Sequence, residues 1–158
     1  MKAKMMKKQL RIMVDDATQS FDLAISFDDP DIDKVGQMTL QTVYQGQEIV
    51  AVGTYYPFQD AFADLQNKLP QNVQLICCAA CRYGNLCPVG DAPDEVYCTK
   101  DVPIACKTDL FHYTEDADEV KKRRRQYADC CGDFRPQEEG FFTYSDYLEF
   151  LNKNRLTQ

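Results

Sequence analysis

All eight cysteines of this chain fall between residues 77 and 131, and the first 76 residues contain none. They are Cys77, Cys78, Cys81, Cys87, Cys98, Cys106, Cys130 and Cys131. A chain of 158 residues buries roughly 68–70% of its unfolded surface and so has a core without covalent staples. The thiols therefore serve the segment they occupy. From Cys77 to about Thr114, Gly84, Pro88, Gly90, Pro93 and Pro103 interrupt any periodicity. A loop of that length needs something to hold it.

The tight element is Cys78-Ala79-Ala80-Cys81. Two cysteines three apart, followed by a turn-forming Gly84, present both sulfurs to one tetrahedral ion at Zn–S distances of about 2.3 Å. That is half a site, and no second Cys-x-x-Cys supplies the other half. Neighbouring residues of an extended segment point to opposite faces. Cys77 and Cys78 are thus expected not to share an ion, and Cys77 is expected to face the core; the same limit holds for Cys130 and Cys131 where that pair lies past the helix end. One cysteine from each doublet, with one or two from the loop between, would complete the set.

Structural zinc is the favoured reading of these thiols, and it has competitors. Cys78-x2-Cys81-x5-Cys87-Pro88 is compatible with an iron–sulfur cluster but completes no known spacing. Reduced, partly buried thiols without a metal are common in cores. A dithiol redox enzyme needs its first cysteine at a helix N-terminus, and Arg82-Tyr83-Gly84-Asn85 with Pro88 makes a poor helix.

The first half reads as a small antiparallel sheet. Leu10, Ile12 and Val14 alternate with polar neighbours, and Phe21, Leu23, Ile25 and Phe27 alternate more strictly, the pattern of half-buried strands. "QMTLQTVYQGQEIVAVGTYY" predicts two strands about a turn at Gln45-Gly46. After Pro57, the spacing of Phe58, Phe62, Leu65 and Leu69 predicts one face of a helix that Pro70 stops. Val73–Ile76 resumes as a strand. "TEDADEVKKRRRQYADCC" reads as a helix with Thr114 as N-cap, and "YSDYLEFLNKN" as a last one, with Tyr144, Tyr147, Leu148 and Leu151 on one face.

Charge narrows the class of partner. The chain carries −7, with seven basic and ten acidic residues in 1–70 and eleven and fifteen thereafter. Neither half is basic, which argues against nucleic acid, whose binding rests on phosphate neutralisation; an acidic surface steers toward a basic protein. "KKRRR" at 121–125 reads as a solvated helix face, with Asp118–Lys122 and Glu119–Arg123 spaced as ion pairs. "DDPDIDKVGQMTL" places Asp29, Asp31 and Asp33 as a calcium loop would, but Lys34 and Leu40 stand where glycine and glutamate are required. His112, the single histidine, is expected to be packed or at the surface rather than a ligand. Hydrolase and nucleotide chemistry have no motif to rest on. The basic start lacks an apolar signal segment, and no run approaches a membrane span. The expected compartment is the cytoplasm, where thiols stay reduced.

The stretch from about residue 75 to 136 resembles a family of small uncharacterised bacterial proteins. "CAAC" at 78–81, an aromatic-glycine turn with a proline at 88, "YCTK" around Cys98 and "RRQYADCCGDF" ending on Cys131-x-x-Phe134 carry that resemblance. The family places a β-rich N-terminal half before a Cys-x-x-Cys, a lone cysteine and a late Cys-x-x-Phe. Carried over residue by residue, the resemblance implies Cys78, Cys81, Cys98 and Cys131 as a four-thiolate site. Cys77, Cys87, Cys106 and Cys130 depart from the pattern; Cys87-Pro88 stands where the family has serine-proline. Some such small acidic proteins resemble immunity proteins of bacterial toxins.

The expectation is a single α+β domain: a sheet–helix–strand core over 1–76, then a zinc-ordered, cysteine-rich loop and two C-terminal helices over 77–158. Its expected function is non-catalytic, binding or regulatory, with an iron–sulfur or dithiol redox protein as the alternative.

Overall fold

The computed structural model describes residues 4–86 and 94–156. The chain divides into two compact units, Met1–Ile76 with Asp146–Gln158, and Cys77–Ser145. The fold is mixed α+β.

In the first unit, strands β1 (Lys4–Val14), β2 (Ala17–Phe27), β3 (Met38–Tyr44), β4 (Gln47–Gly53) and β5 (Val73–Ile76) form an antiparallel sheet in the order β4-β3-β2-β1-β5. Two of the hairpins turn on two residues with positive φ, Asp15-Asp16 and Gln45-Gly46, the backbone that matches the twist of flanking strands. Period-two alternation sets the faces. Leu10, Ile12, Leu23, Ile25, Phe27, Met38, Leu40 and Ala51 are all buried. The register places Ile25 opposite Leu40 and Phe27 opposite Met38.

Helix α1 (Pro57–Lys68) starts with proline at its first turn, where no amide donor is needed. It buries Phe58, Phe62 and Leu65, and Leu69 follows them into the core. Gly53 allows that approach, because a Cβ there would run into the Pro57 carbonyl. Buried Asp60 accepts the amides of Tyr55 and Tyr56 at 3.2 and 2.9 Å, closing the helix start. Gln66 clamps β5 from the helix, donating to the Val73 carbonyl (2.7 Å) and accepting from the Leu75 amide (2.9 Å). Helix α4 (Tyr147–Leu156) packs on α1, its start tied by the Asp146 amide to Gln59 at 3.2 Å.

The second unit carries more regular structure than an aperiodic loop. Strands β6 (Gly84–Asn85), β7 (Glu95–Cys98) and β8 (Arg124–Gln126) form a small sheet in the order β6-β7-β8, accompanied by helices α2 (Lys107–His112) and α3 (Ala117–Arg123). Strands of two to four residues are too short to show a period in sequence.

Two helix expectations need correction. The helix read through Cys131 ends at Arg123, and the next three residues pair with β7 as a strand. Its N-cap is Asp116, which accepts the Asp118 amide at 2.9 Å. The Thr114 hydroxyl instead donates back to the Leu110 and Phe111 carbonyls. The centre of the unit is Asn85, wholly buried. It donates to the Tyr83 and Tyr97 carbonyls and the Thr99 hydroxyl, and accepts the Tyr144 amide at 2.8 Å. Among the described residues, no helix is long and apolar enough to cross a membrane.

Candidate metal centre

The cysteine knuckle is built by a 3-10 turn over Cys78–Ala80. Cys77 precedes it in extended conformation and is fully buried, while Cys78 starts the turn half-buried. The Cys81 amide returns to the Cys78 carbonyl at 3.3 Å, and the Gly84 amide to the Cys81 carbonyl at 3.0 Å. Gly84 is sterically required, since a Cβ there would drive into the Cys78 carbonyl. Its Cα pairs with that of Cys98 across β6 and β7, so the lone cysteine stands opposite the end of the knuckle.

Residues 127–137 cross this knuckle as a strap. The amides of Cys78 and Ala79 donate to the Asp129 and Tyr127 carbonyls at 2.7 and 3.0 Å. Further along, the Arg82 amide donates to Arg135 at 2.7 Å and the Gln137 amide to Ala80 at 3.2 Å. Cys130 and Cys131 lie between these two sets of bonds. An offset of the strap by one residue would break all four.

The result is a cavity of about 100 Å³ lined by Cys78, Cys81, Cys98, Cys130 and Cys131. Cys78, Cys81, Cys98 and Cys131, singled out from sequence, thus face one space, and Cys130 joins them. Cys77 is not among the lining residues. Cys106 is exposed just before α2, and His112 is exposed at that helix's end. Cys87 lies outside the described residues. The sulfurs share the cavity without being drawn into a closed ligand set: among the described residues, no three His, Cys, Asp or Glu side chains are gathered closely enough to hold an ion.

Burial disfavours the thiolate form of the knuckle cysteines. Burial pushes the Cys77 thiol up to about 12 and raises those of Cys78 and Cys81. Neighbouring cysteines add to each shift: Cys98 and Cys131 act on Cys81, and Cys77, Cys81 and Cys98 on Cys78. Opposing this at Cys81, the backbone amides of Arg135 and Tyr83 hydrogen-bond its sulfur. Neutral thiols need no counter-charge; only their joint ionisation would call for a cation nearby. In kind, the donor set suits zinc: soft sulfur ligands lining one cavity.

Cationic side chains frame the cavity. Lys100 and Arg125 line it, and Lys100 bridges to Asp133 at 2.9 Å. Lys100 stands two residues after Cys98 and Asp133 two after Cys131, an equal spacing with opposite charge that sequence reasoning passed over. Arg123 is the larger surprise. Read as part of a solvated face, it is 2% exposed and donates to the Cys98 carbonyl at 3.2 Å. Its guanidinium also reaches Asp101 at 2.6 Å and Glu119 at 2.9 Å, and lies over the Tyr113 ring. The Glu119–Arg123 pair is present as spaced, whereas Lys122 turns to Asp101 at 3.5 Å.

A larger concavity, about 800 Å³, lies on the outer face of the five-stranded sheet. Lys7, Asp22, Gln41 and Glu48 line it, with Gln41 bonded to Glu48. Its opposite charges do not converge on a common point of chemistry. Compared with known proteins, the chain matches no family profile and no curated sequence.

Proposed function

We propose that this is a non-catalytic cytoplasmic binding or regulatory protein whose second unit is ordered by one zinc ion on Cys78, Cys81, Cys98 and Cys131. The observation that carries this reading is their common cavity, built by the knuckle, the β6–β7 pairing and the strap. Four thiolates close the coordination sphere and leave no open position for substrate or activated water, which suits a structural role. Cations at the rim offset the negative charge of such a centre.

The net charge of −7 favours a basic protein as the partner. Together with the resemblance to small bacterial proteins, it suggests an immunity-type inhibitor of a toxin. Metal analysis of freshly purified protein with a visible spectrum tests the metal. About one zinc per chain and no colour supports the proposal; iron with a broad band near 400 nm replaces it with an iron–sulfur protein. Capture of a basic toxin domain by the folded chain tests the partner.

A further inference from the structure

We propose that the gap between β2 and β3 takes one extended segment of a partner protein, basic and apolar at alternate residues, as an added strand along Thr18–Asp22. The inference concerns the first unit alone and does not depend on the metal reading.

The register shows which backbone groups are open to a new strand. β1 and β2 join through the two-residue turn Asp15-Asp16, with Val14 opposite Ala17. Odd-numbered residues of β2 therefore exchange hydrogen bonds with β1, and even-numbered ones point toward β3. The β2–β3 ladder uses Ser26 and Ala24 in this way and stops at Ala24 opposite Gln41. In continued register the next hydrogen-bonded pair would be Asp22 with Val43. Instead the Thr42 hydroxyl donates to the Asp22 carbonyl at 2.7 Å, and the ladder ends. Among the described residues, none bonds the Asp22 amide or the amides and carbonyls of Thr18 and Ser20 on this side.

The outer edges of the same sheet are treated differently. On β4, Asp64 and Lys68 of α1 bond the Val52 amide and the Val50 carbonyl at 2.9 and 2.8 Å. On β5, Gln66 bonds the Val73 carbonyl and the Leu75 amide. Open strand edges template pairing, and folds block those they do not use. Among the described residues, no side chain blocks Thr18 and Ser20 in that way. β1 also runs past its β5 partners, over Lys4–Leu10. The concavity of about 800 Å³, however, lies along β2 and β3.

A row of main-chain donors and acceptors is complemented by another main chain in extended form. At ordinary strand spacings one residue fills about 160 Å³, so about 800 Å³ holds roughly five residues of a single strand. A second copy would bring its β2 already joined to β1, and the β3–β4 hairpin bounds the gap on its far side. One strand fits where a hairpin does not. Side chains set the composition. Asp22 and Glu48 share the outer face, where they accept from Gln9 and Gln41. Half-buried Phe21 and buried Leu23 stand on the other face. A strand antiparallel to β2 puts the residues opposite Ser20 and Asp22 on the carboxylate face, with their amides toward β2. Lysine or arginine suits those positions, and apolar residues suit the ones between.

The test titrates the full, ¹⁵N-labelled chain with an acetylated, amidated hexapeptide of alternating lysine and valine. Amide exchange is the readout. At saturation the Thr18, Ser20 and Asp22 amides are expected to exchange about tenfold more slowly, roughly the factor that one net hydrogen bond supplies. N-methylation of the peptide's lysine amides should abolish the effect, and N-methylation of its valine amides should not. No slowing at these three amides overturns the proposal, as does equal loss with either methylated peptide. So does slowing at Lys7 and Gln9 instead, which would place the strand on β1. Slowing that rises with protein concentration in the absence of peptide makes a second copy the occupant and also overturns it. Ser20→Pro removes a donor that faces away from β1, a position where an edge tolerates proline, and should abolish binding. Asp22→Lys leaves the backbone groups in place; it should weaken the lysine–valine peptide and favour a glutamate–valine one. Unchanged preference in that variant overturns the basic character assigned to the partner.

Discussion

Gly84 lies against the carbonyl of Cys78 so closely that any Cβ would fall inside the 3.0 Å that real Cβ contacts keep. The knuckle and β6 are thereby fixed together, and with them the position of Cys98. Gly84→Ala is expected to force the 3-10 turn outward at a cost of about 1–3 kcal/mol, the range for inserting an atom where there is no room. Zinc stoichiometry and the thermal midpoint should both fall. Equal metal content in wild type and variant would mean that the turn does not position the ligands.

Metal removal should act on the second unit. Structural zinc contributes about 10–16 kcal/mol to small folded peptides, so stripping it with a chelator, or Cys78→Ala, should loosen residues 77–145. Hydrogen exchange resolved by peptide is the suitable measurement, with protection lost over the strap and retained over β1–β4. Unchanged protection after complete removal of metal would sink the zinc-ordered reading.

Arg123 offers a test with a pH signature. Arg123→Met removes the fork to Asp101 and Glu119 and the bond to the Cys98 carbonyl. Both carboxylates are partly exposed, at 45% and 35%, which screens the loss to about 2 kcal/mol. The hydrogen bond from Arg123 holds the Asp101 carboxyl below its ordinary 3.8. A depressed carboxyl stabilises the fold above its unfolded value and loses that contribution as pH falls through the folded value. The gap between wild type and Arg123→Met should therefore be full at neutral pH and narrow below about pH 4. Denaturant melts across pH 2–7 would measure it; a gap independent of pH would exclude the pairing as its source.

Gln66 tests the first unit without touching the thiols. Gln66→Ala leaves the Val73 carbonyl and Leu75 amide without their side-chain partner in a buried setting. The expected loss is about 2 kcal/mol, read by denaturant melt, with zinc content unchanged. A fall in zinc content in this variant would contradict the placement of the ligands in the second unit.

Much of the first unit was legible because its signals are local and repeated. Leu10 and Ile12, or Leu23, Ile25 and Phe27, carry the strand period over many residues, and Pro57 and Pro70 bracket the helix. The second unit withheld its secondary structure because its order comes from far along the chain. Gly84–Asn85 is a strand only because Tyr97 and Cys98 pair with it, and Arg124–Gln126 only because Glu95–Tyr97 does. Helix spacing through "KKRRRQYADCC" was real as a pattern, but the pairing with β7 overrode it. Arg123 looked like one more surface cation until its backbone position turned it toward Asp101. Cys78, Cys81, Cys98 and Cys131 were reached through a resemblance; spacing alone did not choose between the doublet members.

The second unit is inserted in sequence between β5 and α4, two elements of the first. During synthesis the sheet and α1 emerge early, yet the surface of α1 that receives Tyr147 and Leu151 stays uncovered while some seventy further residues are made. Domains generally acquire structure as they leave the ribosome. Here the unit completed first is the one begun second, and the fold that starts the chain is the last to close.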